Sequence, residues 1–302
     1  SVLTISSEQT DPQSVPISLT VSGESSSLAL PFIDISSSDN GIVELPDNID
    51  PLFSNVAQRY THVLAPNGEA IPIIAQGNIT DRQFLHVRRV LSEYLTNVSG
   101  SVWGNNKEPV ANALALSNAI LLLLNDENEY ENPALDALFD AGANGQDLLA
   151  TEIFPEGSEQ YMNSSMRDAS YEEILHFVHG FGIQNALPSM QNAIIQAMNY
   201  AIDNNNYLPL SDLPEEDYDE EYLAMALESY FGFWAHDPEG DHWAGGHEYR
   251  YINRQEMMVG DSLGYNIIKE FFGESWNYNA ELPQNFEGQF SLSYMSDLSY
   301  TN

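Results

Sequence analysis

The segment Ser170–Gly182 combines two of the chain's seven histidines with two adjacent glutamates in a run that has helical periodicity. On a helix with about 100° per residue, Glu172, His176 and His179 lie within about 60° of one another. Residues four positions apart project from the same face of a helix and can therefore bind the same metal ion. The segment predicts a helix with one metal-binding face.

The spacing from Glu172 to His176 differs at one position from the His-Glu-x-x-His signature of zinc peptidases. In that signature two histidines hold the metal, and the glutamate after the first histidine polarises a water molecule. Glu173 occupies the place of this catalytic glutamate, whereas Glu172 replaces the first histidine. The role of His179 stays open among a ligand, a hydrogen-bond partner of a ligand and a proton carrier.

A purely structural interpretation uses the same residues. Ser170 and Glu173 have the spacing of a capping box, in which each side chain bonds to the backbone of the other residue. Acidic residues in a first turn also interact favourably with the helix dipole. On this interpretation neither Glu172 nor Glu173 is catalytic, and His176 and His179 are ordinary buried or partly buried histidines.

A second helical segment runs from Glu221 to Phe231. It resembles the Glu-Phe-Phe-Ala-Glu helix of gluzincin metallopeptidases of the anthrax lethal factor type. The resemblance extends over about residues 152–272, and it implies a zincin-like domain that hydrolyses peptide bonds with a divalent metal, zinc in that family. It also implies that Glu221 is the third metal ligand. The supporting glutamate one turn later in that family is Met225 here.

The differences from the family have chemical consequences. A ligand set of Glu172, His176 and Glu221 has one nitrogen and two carboxylates, so it is more anionic than two histidines and one glutamate. It should bind zinc less selectively and reduce the Lewis acidity of the metal. A set of His176, His179 and one glutamate would restore two nitrogens but requires the helix to unwind near Gly180. The expected outcomes are an altered active centre, a metal site without catalysis, or a pseudoenzyme.

Composition limits the partners. The chain has 45 acidic and 9 basic residues, a formal charge of −36, and no cysteine. Nucleic acid and anionic membranes require basic surfaces, so neither is an expected partner. Disulfides and thiol catalysis are excluded. No apolar run is long enough to predict a membrane span. The Ser/Thr-rich beginning is typical of a processed secreted protein, and we expect an extracellular location.

The periodicity predicts a mainly α (α+β) fold in two parts. Residues 1–48 form an extended arm, in which Val15–Ser22 alternates like a strand that packs on the domain or is donated to a neighbouring subunit in a homo-oligomer. Residues 49–302 form a mostly helical domain with short strands within 41–64 and at 70–75. Helices are predicted at 80–98, 110–124, 133–139, 170–179 (ended by glycines), 188–204, 217–234 and 254–272.

One further segment is rich in groups that bind cations. It contains His236, His242 and His247 together with acidic residues and glycines, but its spacing matches no standard metal site. His247, Tyr249 or Tyr251 could supply the hydrogen-bond donor that a peptidase of this kind directs at the developing oxyanion.

Taken together, these sequence features favour a metal-dependent peptidase that takes a protein or peptide substrate. The alternative is a non-catalytic extracellular assembly protein on the same scaffold.

Overall fold

The structure is a computed structural model that describes residues 28–155, 168–234 and 240–274. Five strands form one mixed sheet: β1 (Val43–Glu44), β2 (Arg59–Leu64), β3 (Ala70–Ala75), β4 (Ala119–Leu124) and β5 (Asn144–Leu149). Their spatial order is the same as their order in the chain. Strand β2 pairs antiparallel with both β1 and β3, whereas β3, β4 and β5 are parallel.

The helices supply most of the remaining regular structure. The described α-helices, apart from one short turn given below, are α1 (Pro51–Ser54), α2 (Asp81–Leu95), α3 (Glu108–Leu116), α4 (Pro133–Asp140), α5 (Ser170–Val178), α6 (Pro188–Asp203), α7 (Tyr218–Phe231), α8 (Arg254–Gly260) and α9 (Ser262–Phe272). The fold is therefore α+β, as the sequence predicts at that level.

The sheet separates two hydrophobic clusters. Alternate residues of β4 point to opposite faces: Leu121 and Leu123 join the larger cluster, and Ile120 and Leu122 join the smaller one. The larger cluster includes α2, α3 and the helices from α5 onward, while the smaller one includes α1, α4 and residues 28–45. Residues 28–45, predicted from the sequence to belong to an N-terminal arm, thus contribute to the cluster on the sheet face opposite α5. The predicted strand at residues 15–22 lies outside the described residues.

The prediction of one helix over residues 110–124 is wrong. Helix α3 ends at Leu116, and Asn118 adopts a positive φ of 57° that turns the chain into β4. All six residues of β4 are buried because the strand lies between two parallel neighbours with both faces covered. A strand buried on both faces has a continuous apolar sequence, which periodicity does not distinguish from a buried helix.

Two helix ends also differ from the prediction. Residues 254–272 form two helices, because the Asp261 carboxylate caps α9 by accepting a hydrogen bond from Gly264 N. After α5 the chain stays helical through a π-helical turn, His179–Ile183, and a short α-helical turn, Gln184–Ala186. Gly182 does not end the helix; a Cβ there would lie 2.8 Å from Val110 Cγ1, so the glycine permits close packing on α3.

Candidate metal centre

The N-terminus of α5 is fixed by a buried polar group. Asp168 Oδ1 accepts hydrogen bonds from the backbone N of Ser170 (3.1 Å) and from its Oγ (2.6 Å). Asp168 Oδ2 accepts one from His86 Nε2 on α2 at 2.6 Å. Each of the three residues is at most 4% exposed. This group holds the first turn of α5 against α2 and so determines which face of α5 points toward α7.

The capping box of the structural interpretation does not form. Ala169 is the residue that precedes the first turn, and Ser170 bonds to Asp168 instead of to the Glu173 backbone. Glu173 does not reach back along the helix, because its Oε2 accepts a hydrogen bond of 2.7 Å from Gln146 Nε2 on β5. Glu173 therefore has a tertiary partner, and the capping box does not explain its position.

Three of the predicted ligands converge. Glu172 and His176 on α5 and Glu221 on α7 each offer one donor atom, and these atoms all lie within 4.8 Å of one another. Glu172 is 8% exposed, and the side chain of His176 is 10% exposed. Ligand atoms bind zinc at about 2.0–2.2 Å, so atoms on opposite sides of one ion are at most a little over 4 Å apart. Small side-chain rotations would satisfy this limit, and the group could hold a metal ion.

The chemistry of the donors also fits a cation. Two carboxylates in a largely buried position repel each other, and a cation between them offsets that repulsion. The sequence prediction that α5 and α7 lie side by side, with Glu221 near His176, is confirmed. The convergence joins residues separated by 45 to 49 positions in the sequence, so it depends on the packing of the two helices.

His179 has a different environment. Its ring is buried, and Nε2 lies 2.7 Å from Gln191 Oε1 on α6. The Gln191 amide is oriented by Asp219, whose Oδ2 accepts a hydrogen bond from Gln191 Nε2. Because Gln191 therefore presents its oxygen to the ring, His179 must donate from Nε2. That nitrogen then has no lone pair for a metal, and His179 is not among the three residues whose donor atoms converge.

Glu173, the predicted general base, lies on the side of α5 that faces β5. Burial raises its pKa to about 9, and the nearby charges of Glu172 and Glu152 act in the same direction. The carboxyl group is therefore protonated at neutral pH in the metal-free protein. A cation bound nearby would favour the ionised form, which a general base requires.

Glu220 was not identified from the sequence. Its carboxylate lies between two histidines, with Oε1 3.9 Å from His176 Nδ1 and Oε2 3.9 Å from His179 Nδ1. Burial alone would raise its pKa, but the interaction of its carboxylate with His179 and the proximity of His176 bring the pKa below the usual value. The available sequence signal was the run of acidic residues from Asp219 to Glu221, which is also typical of a solvated first helical turn.

The predicted oxyanion donors have other partners. Tyr249 donates its hydroxyl to Asp261 Oδ2 at 2.7 Å, and Tyr251 donates its own to Asn206 Oδ1 at 2.8 Å. The His247 side chain is 65% exposed and pairs with Asp241. His236 lies outside the described residues.

Tyr207 has a hydroxyl near the candidate ligand Glu221. It is fully buried, and its oxygen has no hydrogen-bond partner within the described ranges. Burial, followed by the charges of Glu221 and Glu248, raises its pKa. No sequence pattern points to this residue, because its position depends on a bridge between Tyr207 and Tyr249.

Two cavities lie near these elements. One of about 440 Å³ is lined by Gln191 and Asp219, together with Ile195, Met198 and the acidic residue Glu216. It therefore opens beside the hydrogen bonds of His179. Another, of about 600 Å³, is formed by residues between 241 and 260 and contains none of the converging ligands. We place the candidate centre at Glu172, His176 and Glu221 because the metal-binding chemistry is there.

The comparisons with known proteins give no relative. No family model, curated protein or solved structure matches the chain. Among the helices that the structure describes, none is long and apolar enough to cross a membrane.

Proposed function

We propose that this protein is a metal-dependent peptidase of zincin-like type with an unusual ligand set. The convergence of Glu172, His176 and Glu221 carries the proposal, since it brings donor atoms from two helices within 4.8 Å of one another, close to the spacing that one ion requires. These three residues would hold the metal. A divalent cation bound there would supply Lewis acidity toward a peptide carbonyl and toward water.

The chain's own residues would do the proton chemistry. Glu173 follows the first ligand directly and is held by Gln146 at 2.7 Å. In its ionised form it would accept a proton from the attacking water and then deliver it to the leaving amine. The Tyr207 hydroxyl, near Glu221, would donate a hydrogen bond to the developing oxyanion once substrate is bound.

The ligand set predicts metal preference. Two carboxylates and one imidazole form a harder and more anionic set than two imidazoles and one carboxylate. The ion should be less acidic than zinc in a standard zinc peptidase, and oxygen-preferring ions such as Mn²⁺ should compete more effectively. We therefore expect slow peptidase activity that depends on the ion supplied.

The test combines metal content with peptide cleavage. Protein purified without added metal is analysed for bound elements, and cleavage of a mixed peptide library is followed by mass spectrometry with zinc, cobalt or manganese. We expect cleavage that is lost in Glu173→Gln while metal binding is retained. Glu69→Gln, an exposed carboxylate remote in sequence, is the matched control.

The alternative is a non-catalytic extracellular assembly protein on the same scaffold. The replacement of an imidazole by Glu172 favours it, because the extra negative charge reduces Lewis acidity. Metal binding without cleavage of any peptide by the wild type would select this alternative. Wild-type protein that binds no metal would reject the metal centre itself.

A further inference from the structure

The carboxylate of Glu220 lies beside the candidate centre without belonging to it. Glu220 immediately precedes Glu221 on α7, and its side chain is 27% exposed. Its two oxygens face two different histidines, His176 and His179, each at 3.9 Å from the ring Nδ1. The distance is too long for a hydrogen bond but short enough that one side-chain rotation would form one.

A histidine that binds a metal through one ring nitrogen generally donates the N–H of the other nitrogen to an oxygen acceptor. This bond fixes the ring orientation and determines which nitrogen keeps its lone pair. His176 is the only imidazole among the three converging ligands. Its orientation therefore matters more here than in a site with two imidazoles, because no second nitrogen ligand compensates for a misplaced ring.

The supporting carboxylate of the gluzincin helix would stand at Met225, where no acceptor is present. Asp219 does not replace it, since its carboxylate accepts a hydrogen bond from Gln191. Glu220 is the carboxylate that faces His176 Nδ1. His179, which donates from Nε2 to Gln191, is held in place on the other side of Glu220 and limits the movement of its carboxylate.

We propose that Glu220 is a positioning residue of the metal centre: its carboxylate accepts a hydrogen bond from His176 Nδ1–H, and this orients the ring so that Nε2 faces the cation. The inference rests on the proposed metal-binding function and deepens it. Glu220, the neighbour of the ligand Glu221, would then support the imidazole ligand. In the gluzincin family a glutamate at the position of Met225 has this supporting role.

The test measures zinc affinity of the full chain by competition with a chromophoric chelator. Loss of such a supporting partner typically weakens metal binding about 10- to 100-fold. We expect this loss in Glu220→Ala and a smaller loss in Glu220→Gln, since an amide oxygen still accepts a hydrogen bond from His176 Nδ1–H. Glu216→Ala is the matched control, because it removes an exposed carboxylate four residues earlier. Its zinc affinity should stay within about threefold of wild type, because solvent and salt screen the attraction between an exposed carboxylate and the ion.

Two further readouts separate positioning from folding and from charge. Thermal unfolding of the metal-free variants shows whether Glu220→Ala is folded. Long-range ¹H–¹⁵N spectra of the zinc-bound wild type should show His176 protonated at Nδ1. Equal zinc affinity in Glu220→Ala and wild type, or an equal loss in Glu216→Ala, would overturn the inference while the metal centre stands. Absence of zinc binding in the wild type would instead overturn the proposed function, and this inference with it.

Discussion

Glu173→Gln tests the electrostatics of the centre in the metal-free protein. Glu173 has a pKa raised to about 9, against 4.5 for an ordinary glutamate, mainly through burial. Between these two values the unfolded chain is ionised at this position and the folded chain keeps the proton. The contribution of Glu173 to the free energy of unfolding of wild type is therefore greatest below pH 4.5 and is lost as the pH rises toward 9. Glutamine keeps the shape and the acceptor for Gln146 but does not titrate.

The magnitude follows from the pKa difference. At pH 8 the full difference from 4.5 corresponds to about 5 kcal/mol, at roughly 1.4 kcal/mol for each pH unit. The side chain is partly exposed, so solvent screening reduces this upper limit, and we expect Glu173→Gln to be more stable than wild type by about 2 kcal/mol at pH 8. At pH 5 the two proteins should differ by less than about 1 kcal/mol.

The assay is urea unfolding at pH 5, 6, 7 and 8 in the presence of a chelator, with Glu69→Gln as the exposed control. Subtracting wild type from variant at each pH removes contributions from all other titrating groups. A difference that is independent of pH, or a variant that is less stable at pH 8, would refute the electrostatic argument. Added zinc should reduce the difference, since a nearby cation stabilises ionised Glu173.

Two predictions concern the scaffold. Lys107 is 1% exposed, donates a hydrogen bond to Tyr94 O at 2.8 Å and has a pKa lowered to about 7 by burial. Above pH 7 the folded protein loses this proton, whereas the unfolded chain keeps it up to about pH 10.5. The free energy of unfolding of wild type relative to Lys107→Met should therefore rise by about 1.4 kcal/mol for each pH unit above 7. Parallel unfolding curves at pH 7, 8 and 9 check this, and no change in the difference would contradict it. Asp168→Ala should lower the free energy of unfolding by about 3–5 kcal/mol, because it leaves His86 and Ser170 buried without their carboxylate. A loss below about 1 kcal/mol in chemical denaturation would show that this buried group is not needed to anchor α5.

The parts of the centre that could be predicted are those encoded by local periodicity. The spacing of Glu172 and His176 places both on one helical face, whatever the rest of the fold. The position of Glu221 opposite them was predicted from a family resemblance and is found where expected. The role of His179 was left open, and its hydrogen-bond partner, Gln191, lies on a separate helix that local periodicity does not place.

The parts that could not be predicted depend on tertiary contacts. Strand β5 has a polar sequence without clear alternation, and it forms because its backbone pairs with β4 over six residues. Gly145 permits this pairing, since a Cβ there would lie 2.6 Å from Ile120 O. The proposed role of Glu220 could not be predicted either, because an acidic residue in a first helical turn is usually explained by the helix dipole.

The most direct test of the account is a calorimetric zinc titration of wild type, Glu172→His and His176→Ala, each first shown to be folded by its thermal transition. The account predicts measurable zinc binding in wild type and loss of binding in His176→Ala. It predicts tighter binding in Glu172→His, because this substitution supplies an imidazole four residues before His176 and removes one negative charge from the ligand set. Zinc binding that is the same in all three proteins would contradict the claim that Glu172, His176 and Glu221 form a metal centre.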